Sequence, residues 1–265
     1  MPNEVRTERE ELARECGLQL LDLSGIYERG VIGYEAGPQT LSIAGLVARQ
    51  RRLLRAAYLL ADSGQRLEAA IMLRSMFEFL VRQQWLTLNP ELHHFLWVIE
   101  DLEARLRVDR EVREQDPAAA HEEAIEVMEP EMRQLYVDEL ERMRAELARL
   151  QEHLGLEERP SYPSLRKQAI AVDLGLSYSL AYRFDSQTAA HPTAMGIEQL
   201  MQDRPDLGGV QLLADPPPGR GYADPYSVPA VILNDALTAA AGVIPELQLA
   251  GIEDVQAKLN ELRSA

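Results

Sequence analysis

The stretch LEAAIMLRSMFEFLVRQQWL, residues 67–86, decides the fold class. Its apolar side chains recur at three- and four-residue spacing, with no alternation of period two, so it reads as a buried helix. Gly64 stands just before it and Asn89-Pro90 just after, which sets a helix over roughly 66–88. Upstream, GPQTLSIAGLVARQRRLLRAAYLLADSG (37–64) places Leu46, Leu53, Leu54, Tyr58 and Ala61 on one face. The short SGQ turn between the two stretches folds them into an antiparallel pair.

The same period continues outward. NEVRTEREELARECGLQLLDLSGIYERG carries Leu12, Cys16, Leu20 and Leu23 on one face and ends at Gly30, a usual helix stop. ELHHFLWVIEDLEARLRV makes a further amphipathic helix. A long polar helix is expected over 118–154, with a narrow stripe of Met132, Leu135, Leu140, Met143, Leu147, Leu150 and Leu154 amid dense charge. Such a stripe packs along one side only, and it points to self-association as a homodimer. LRKQAIAVDLGLSYSLAYRF, residues 165–184, reads as another helix. The expected fold is all-α: a multi-helix bundle with one long protruding antiparallel helix. We expect a single helical domain over 1–265, divided into a motif-bearing bundle (36–203), the long acidic helix (118–154), a Pro/Gly-rich loop (204–228) and C-terminal helices (229–265).

Composition excludes several classes. The net charge is −16, and the surplus is uneven: residues 91–164 hold 9 arginines against 20 acids. Non-specific binding to a phosphate backbone needs basic patches, so this balance disfavours it. The strongest local basic feature is Arg49, Arg51, Arg52 and Arg55, which reads either as an RNA-phosphate contact or as the polar side of an amphipathic helix. The single cysteine, Cys16, forms neither an internal disulfide nor a cysteine zinc site. No run reaches the roughly 18 apolar residues of a bilayer span. The charged MPNEVRTEREELARE start has no signal-peptide core, so a cytoplasmic, membrane-free protein is expected.

Within the apolar stretch, Arg74 and Glu78 stand four apart on one helical face. A charge among so many apolar neighbours is costly unless paired. One reading is a salt bridge that fixes helix register; the other is a pocket where the pair meets further polar groups. A second cluster, SYSLAYRFDSQTAAHPT, gathers Tyr178, Tyr182, Arg183, Asp185, Ser186 and His191. His191 precedes Pro192, which pushes its backbone out of the helical region and sets it at a break. The candidate site is therefore His191, Arg74, Glu78, Arg183 and Tyr182.

These two segments together resemble a bacterial family of helical domains of unknown function, over roughly residues 40–200. Its first motif, Arg-Ser-hydrophobic-hydrophobic-Glu, falls on Arg74, Ser75 and Glu78; its second, Tyr…Ser…His, falls on Tyr182, Ser186 and His191. More distantly, the chain is similar to the HEPN superfamily of helical bundles, many of them metal-independent ribonucleases of toxin and phage-defence systems, often doubled by dimerisation. Their Arg-x(4–6)-His motif differs here: seven residues separate Arg183 from His191, and Phe184 follows the arginine. That resemblance implies transesterification by a 2′-hydroxyl, with His191 as general base or acid and Arg74 or Arg183 stabilising the phosphorane.

Other chemistries lack their residues. A di-iron bundle needs two Glu-x-x-His motifs, and Glu91-Leu92-His93-His94 supplies one. No cofactor or metal is expected. Ser75 and Ser186 lack a nucleophile-elbow context, and GRGYAD has no preceding strand to make a phosphate loop. Two functions are carried forward: a HEPN-like ribonuclease or defence effector, and a non-catalytic helical scaffold or regulator that acts through its long helix and C-terminal helices.

Overall fold

The computed structural model describes residues 7–29, 37–115, 129–179, 201–204, 209–212, 224–244 and 249–264. The helices are α1 (Glu8–Leu23), α2 (Ile26–Arg29), α3 (Gly37–Asp62), α4 (Arg66–Leu88), α5 (Pro90–Gln115), α6 (Pro130–His153), α7 (Leu165–Ala171), α8 (Gly175–Ser177), α9 (Ser227–Ala241) and α10 (Ile252–Ser264). The fold is an all-α multi-helix bundle. It carries one addition: β1 (Met201–Arg204) and β2 (Gly209–Leu212) pair antiparallel, Met201 against Leu212. Part of the stretch expected as a loop over 204–228 is therefore a strand, too short for a period-two pattern to register.

The helices group into two compact units, one of Met1–Thr87 with Leu165–Ala265 and one of Leu88–Ser164. In the first, α1 opens on a capping box: the Thr7 side chain accepts from the Glu10 N–H, and the Thr7 N–H donates to Glu10 Oε2 at 2.9 Å. α9 is apolar almost all round, so it is buried, and it packs against α1, α3 and α10. The core joins Ala13, Cys16 and Leu20 of α1 to Val47 and Leu54 of α3, Met76 and Leu80 of α4, Leu233 and Leu237 of α9, and Leu259 of α10. The chain reverses between α3 and α4 at Gly64, whose φ of +81° suits glycine.

Polar side chains are buried within this core, and each has a partner. Gln50 Nε2 donates to Gln83 Oε1 at 3.1 Å, and Gln83 Nε2 donates to the Ala236 carbonyl at 2.7 Å, tying α3, α4 and α9 together. Arg51 is 1% exposed and donates to the Leu21 carbonyl and to Ser24 Oγ. It thereby serves the orphan carbonyls at the end of α1, whose last turn has no basic residue of its own. The four-arginine cluster of α3 is thus divided: Arg51 is spent inside, while Arg49, Arg52 and Arg55 face outward. Tyr58 donates to the Tyr226 carbonyl at 3.0 Å, and Tyr226 donates to Asp62, which also pairs with Arg14 at 2.9 Å.

The second unit is an antiparallel hairpin of α5 and α6. Positions 92, 95, 99, 102, 106, 109 and 113 of α5 and 133, 136, 140, 143, 147 and 150 of α6 alternate spacings of three and four. That is a heptad seam, and Ile99, Leu102, Leu140, Met143, Leu147 and Leu150 are buried in it. Glu103 pairs with Arg144 at 2.6 Å and Arg105 Nη1 donates to Tyr136 at 3.3 Å across the hairpin.

Three sequence expectations change here. The long helix expected over 118–154 starts at Pro130: proline suits a first helical turn and holds Glu129 extended, with ψ 145°. Residues 118–128 lie outside the described ones. Met132 and Leu135 are exposed, because Arg133 and Tyr136 occupy the seam positions instead. Leu140, Met143, Leu147 and Leu150 are covered by α5 of the same chain, so this buried part of the stripe offers no argument for a homodimer. The helix expected over 165–184 is broken at Asp173, whose φ of 59° ends α7 before α8 begins.

Candidate functional site

Arg74 and Glu78 are paired on α4, Nε to Oε1, at 3.3 Å. Their side chains are 25% and 33% exposed. The helix is less uniformly buried than its composition implies. Ala69, Leu73, Met76, Leu80 and Val81 enter the core, whereas Ile71, Arg74, Ser75, Glu78 and Arg82 run down a half-buried flank. An arginine and a glutamate can therefore sit in this stretch at little desolvation cost: they share the flank, not the core.

Ser75 lies between them, and its hydroxyl donates to the Ile71 carbonyl at 3.3 Å, the usual back-bond of a helical serine. Of the second cluster, Tyr178 follows α8, half-buried against the core, and Ser179 donates to the Gly175 carbonyl at 3.0 Å. Tyr182, Arg183, Ser186 and His191 lie outside the described residues.

Among the described residues no group of three His, Cys, Asp or Glu is placed to hold a metal, and no helix is long and apolar enough to cross a membrane. Cys16 is buried and burial raises its pKa, which keeps it a thiol. Burial likewise pushes the Tyr58 hydroxyl upward. His94 is buried on α5 and burial lowers its pKa, so it is held neutral.

A concave feature lies on α5 and α6. A cleft of about 350 Å³ is lined by Glu103, Leu106, Arg107, Arg110, Arg133, Val137 and Leu140. Its sequence signal was the heptad spacing, which places these residues beside one seam. That signal was hidden because the helix from 91 was read as ending near Val108.

A family model described as Family of unknown function (DUF5677) matches residues 41–209. No match to the chain was found among curated proteins or among solved structures. The matched span includes α4 and covers more than half of the chain, which therefore belongs to that family.

Proposed function

We propose that this member of a family of unknown function is a metal-independent ribonuclease, with Arg74 and Glu78 as the α4 half of its site and Tyr182, Arg183 and His191 as the other half. The single supporting observation is the position of the ion pair. Arg51, the deeply buried arginine of α3, is 1% exposed, whereas Arg74 and Glu78 stand at the solvent boundary, within reach of a ligand. The resemblance to HEPN bundles supplies the chemistry. The substrate 2′-hydroxyl attacks the adjacent phosphorus as His191 takes its proton, and the P–O5′ bond breaks to give a 2′,3′-cyclic phosphate and a 5′-oxygen that takes its proton from water. Arg74 and Arg183 neutralise the phosphorane, and Glu78 orients Arg74. The site doubles in a homodimer, and the protein acts in the cytoplasm as a toxin or phage-defence effector.

The test is incubation of the purified chain with total RNA and with an oligoribonucleotide carrying a single 2′-deoxy position. The reading requires cleavage ending in a cyclic phosphate, none at the 2′-deoxy position, and none by a folded His191→Ala variant. Intact RNA after incubation with dimeric, folded protein refutes it.

A second reading, a non-catalytic scaffold, draws on a different observation. Val108 of α5 and Met132 and Leu135 of α6 are exposed apolar residues, 59%, 46% and 60%, on a hairpin that already has a sealed seam. Here the hairpin docks a second copy of the chain. Sedimentation of the wild type against Leu135→Glu separates the readings: a dimer lost in the variant, with no RNA cleavage by either, favours the scaffold.

A further inference from the structure

The α5–α6 cleft is a concentration of positive charge in the most acidic third of the chain. Three of the nine arginines of residues 91–164 line it, although that stretch holds 20 acids. Its one acid, Glu103, is already neutralised by Arg144 at 2.6 Å. Arg133 shares the Asp109 carboxylate at 3.4 Å with Arg113. Arg107 and Arg110 have no ion pair at all among the described residues. Each has a glutamate four residues further along its helix, Glu111 and Glu114, a spacing that favours pairing, and neither uses it. Both instead line the cleft, above an apolar floor of Leu106, Val137 and Leu140.

We propose that this cleft binds a small phosphorylated ligand, a phosphomonoester carried on an apolar or aromatic body. Two guanidiniums without counter-ions match the two charges of a phosphomonoester at neutral pH, and the guanidinium fork matches phosphate oxygens. A carboxylate would leave one charge uncompensated. Leu106, Val137 and Leu140 cover the body of the ligand. The cleft volume lies at the lower end of small-molecule sites, and the acidic surroundings repel a polyanion, so a compact ligand fits and a nucleic-acid strand does not. Its lining shares no residue with the α4 flank, and its test does not depend on RNA cleavage.

The probe is phenyl phosphate, titrated calorimetrically into the full chain at pH 7.5 beside inorganic phosphate and benzoate. The comparison protein is Arg107→Gln/Arg110→Gln, whose changed side chains hold no ion pair among the described residues; an unchanged melting curve verifies that the fold is kept. Saturable binding of phenyl phosphate is expected, tighter than that of inorganic phosphate and about tenfold tighter than that of benzoate, and weakened by salt. The double variant should lose about tenfold in affinity per guanidinium. Absence of saturable binding overturns the proposal, as does equal affinity in the double variant or for benzoate. Displacement of phenyl phosphate by a ten-nucleotide RNA at lower concentration than by phenyl phosphate itself also overturns it, in favour of a strand-binding groove.

Discussion

Nε of Arg133 on α6 stands 3.4 Å from a carboxylate oxygen of Asp109 on α5, and the Asp109 side chain is only 2% exposed. Arg113, one turn along α5, reaches the same carboxylate at 3.1 Å. Asp109, Arg113 and Arg133 occupy seam positions, so the apolar zipper of the hairpin ends in a polar lock. A buried polar group in a heptad seam fixes register at some cost in stability. Asp109→Asn removes the charge that holds both arginines and should cost about 1–3 kcal/mol, less than a fully buried pair because both guanidiniums reach water. Asp109→Leu/Arg133→Leu should melt at or above the wild-type temperature yet populate additional oligomers, read by light scattering after size exclusion.

Gln83 donates to the Ala236 carbonyl and accepts from Gln50, so it is the centre of a buried chain of amides. Gln83→Leu strands the Gln50 amide and should destabilise by about 2–3 kcal/mol in a denaturant titration. Gln50→Leu should cost less, because its Oε1 has no hydrogen-bond partner to lose.

Gly17 on α1 is a contact surface for Tyr58: a Cβ there would meet the Tyr58 hydroxyl at 2.0 Å and its ring carbons at 2.7 and 2.9 Å. Gly17→Ala should cost about 3 kcal/mol, since the ring is held by its bond to the Tyr226 carbonyl and by the Tyr226 ring 5.6 Å away. Adding Tyr58→Phe removes the nearest of the three atoms and should recover part of the loss, a positive coupling in a double-mutant cycle.

His94 gives a pH signature. Its folded pKa is lowered from 6.5 by burial, so above that pH both states hold the ring neutral and no stability is at stake. As pH falls below 6.5 the unfolded chain takes up the proton first, and stability declines until the folded pKa is passed. The melting temperature of the wild type should therefore fall more steeply as pH drops through 6.5 than that of His94→Leu. Parallel slopes refute this.

The Arg74–Glu78 pair is a one-turn, partly solvated ion pair and carries little of the fold. Arg74→Met and Glu78→Gln should each shift stability by no more than about 0.5 kcal/mol. A larger loss would mean the pair is structural, and variants at these positions would then be unusable for testing catalysis.

What the sequence made legible is what short-range chemistry decides. The reversal at Gly64, the stop at Asn89-Pro90 and the pairing of Arg74 with Glu78 each depend on residues within a turn or two, and each is present. The family resemblance over roughly 40–200 also holds, with a match over 41–209. The misses are long-range. Arg51 looked like one of four surface cations because the α1 carbonyl it serves lies 30 residues away. The helix expected from Glu91 stopped at Val108, since Asp109 and Arg113 make sense in a seam only once Arg133 is opposite them. The α4 stretch looked buried all round because composition does not say which flank a neighbouring helix leaves uncovered.

The larger unit is interrupted in sequence: its two parts, up to Thr87 and from Leu165, flank the hairpin between them. A nascent chain emerges from the ribosome in that order, so α1, α3 and α4 are synthesised well before the helix that fills the space among them. Leu20, Leu54 and Met76 must wait for Leu233 and Leu237 to arrive, whereas α5 and α6 can zip together as soon as His153 is clear. The order of synthesis therefore allows the hairpin to close before the core of the larger unit can be completed.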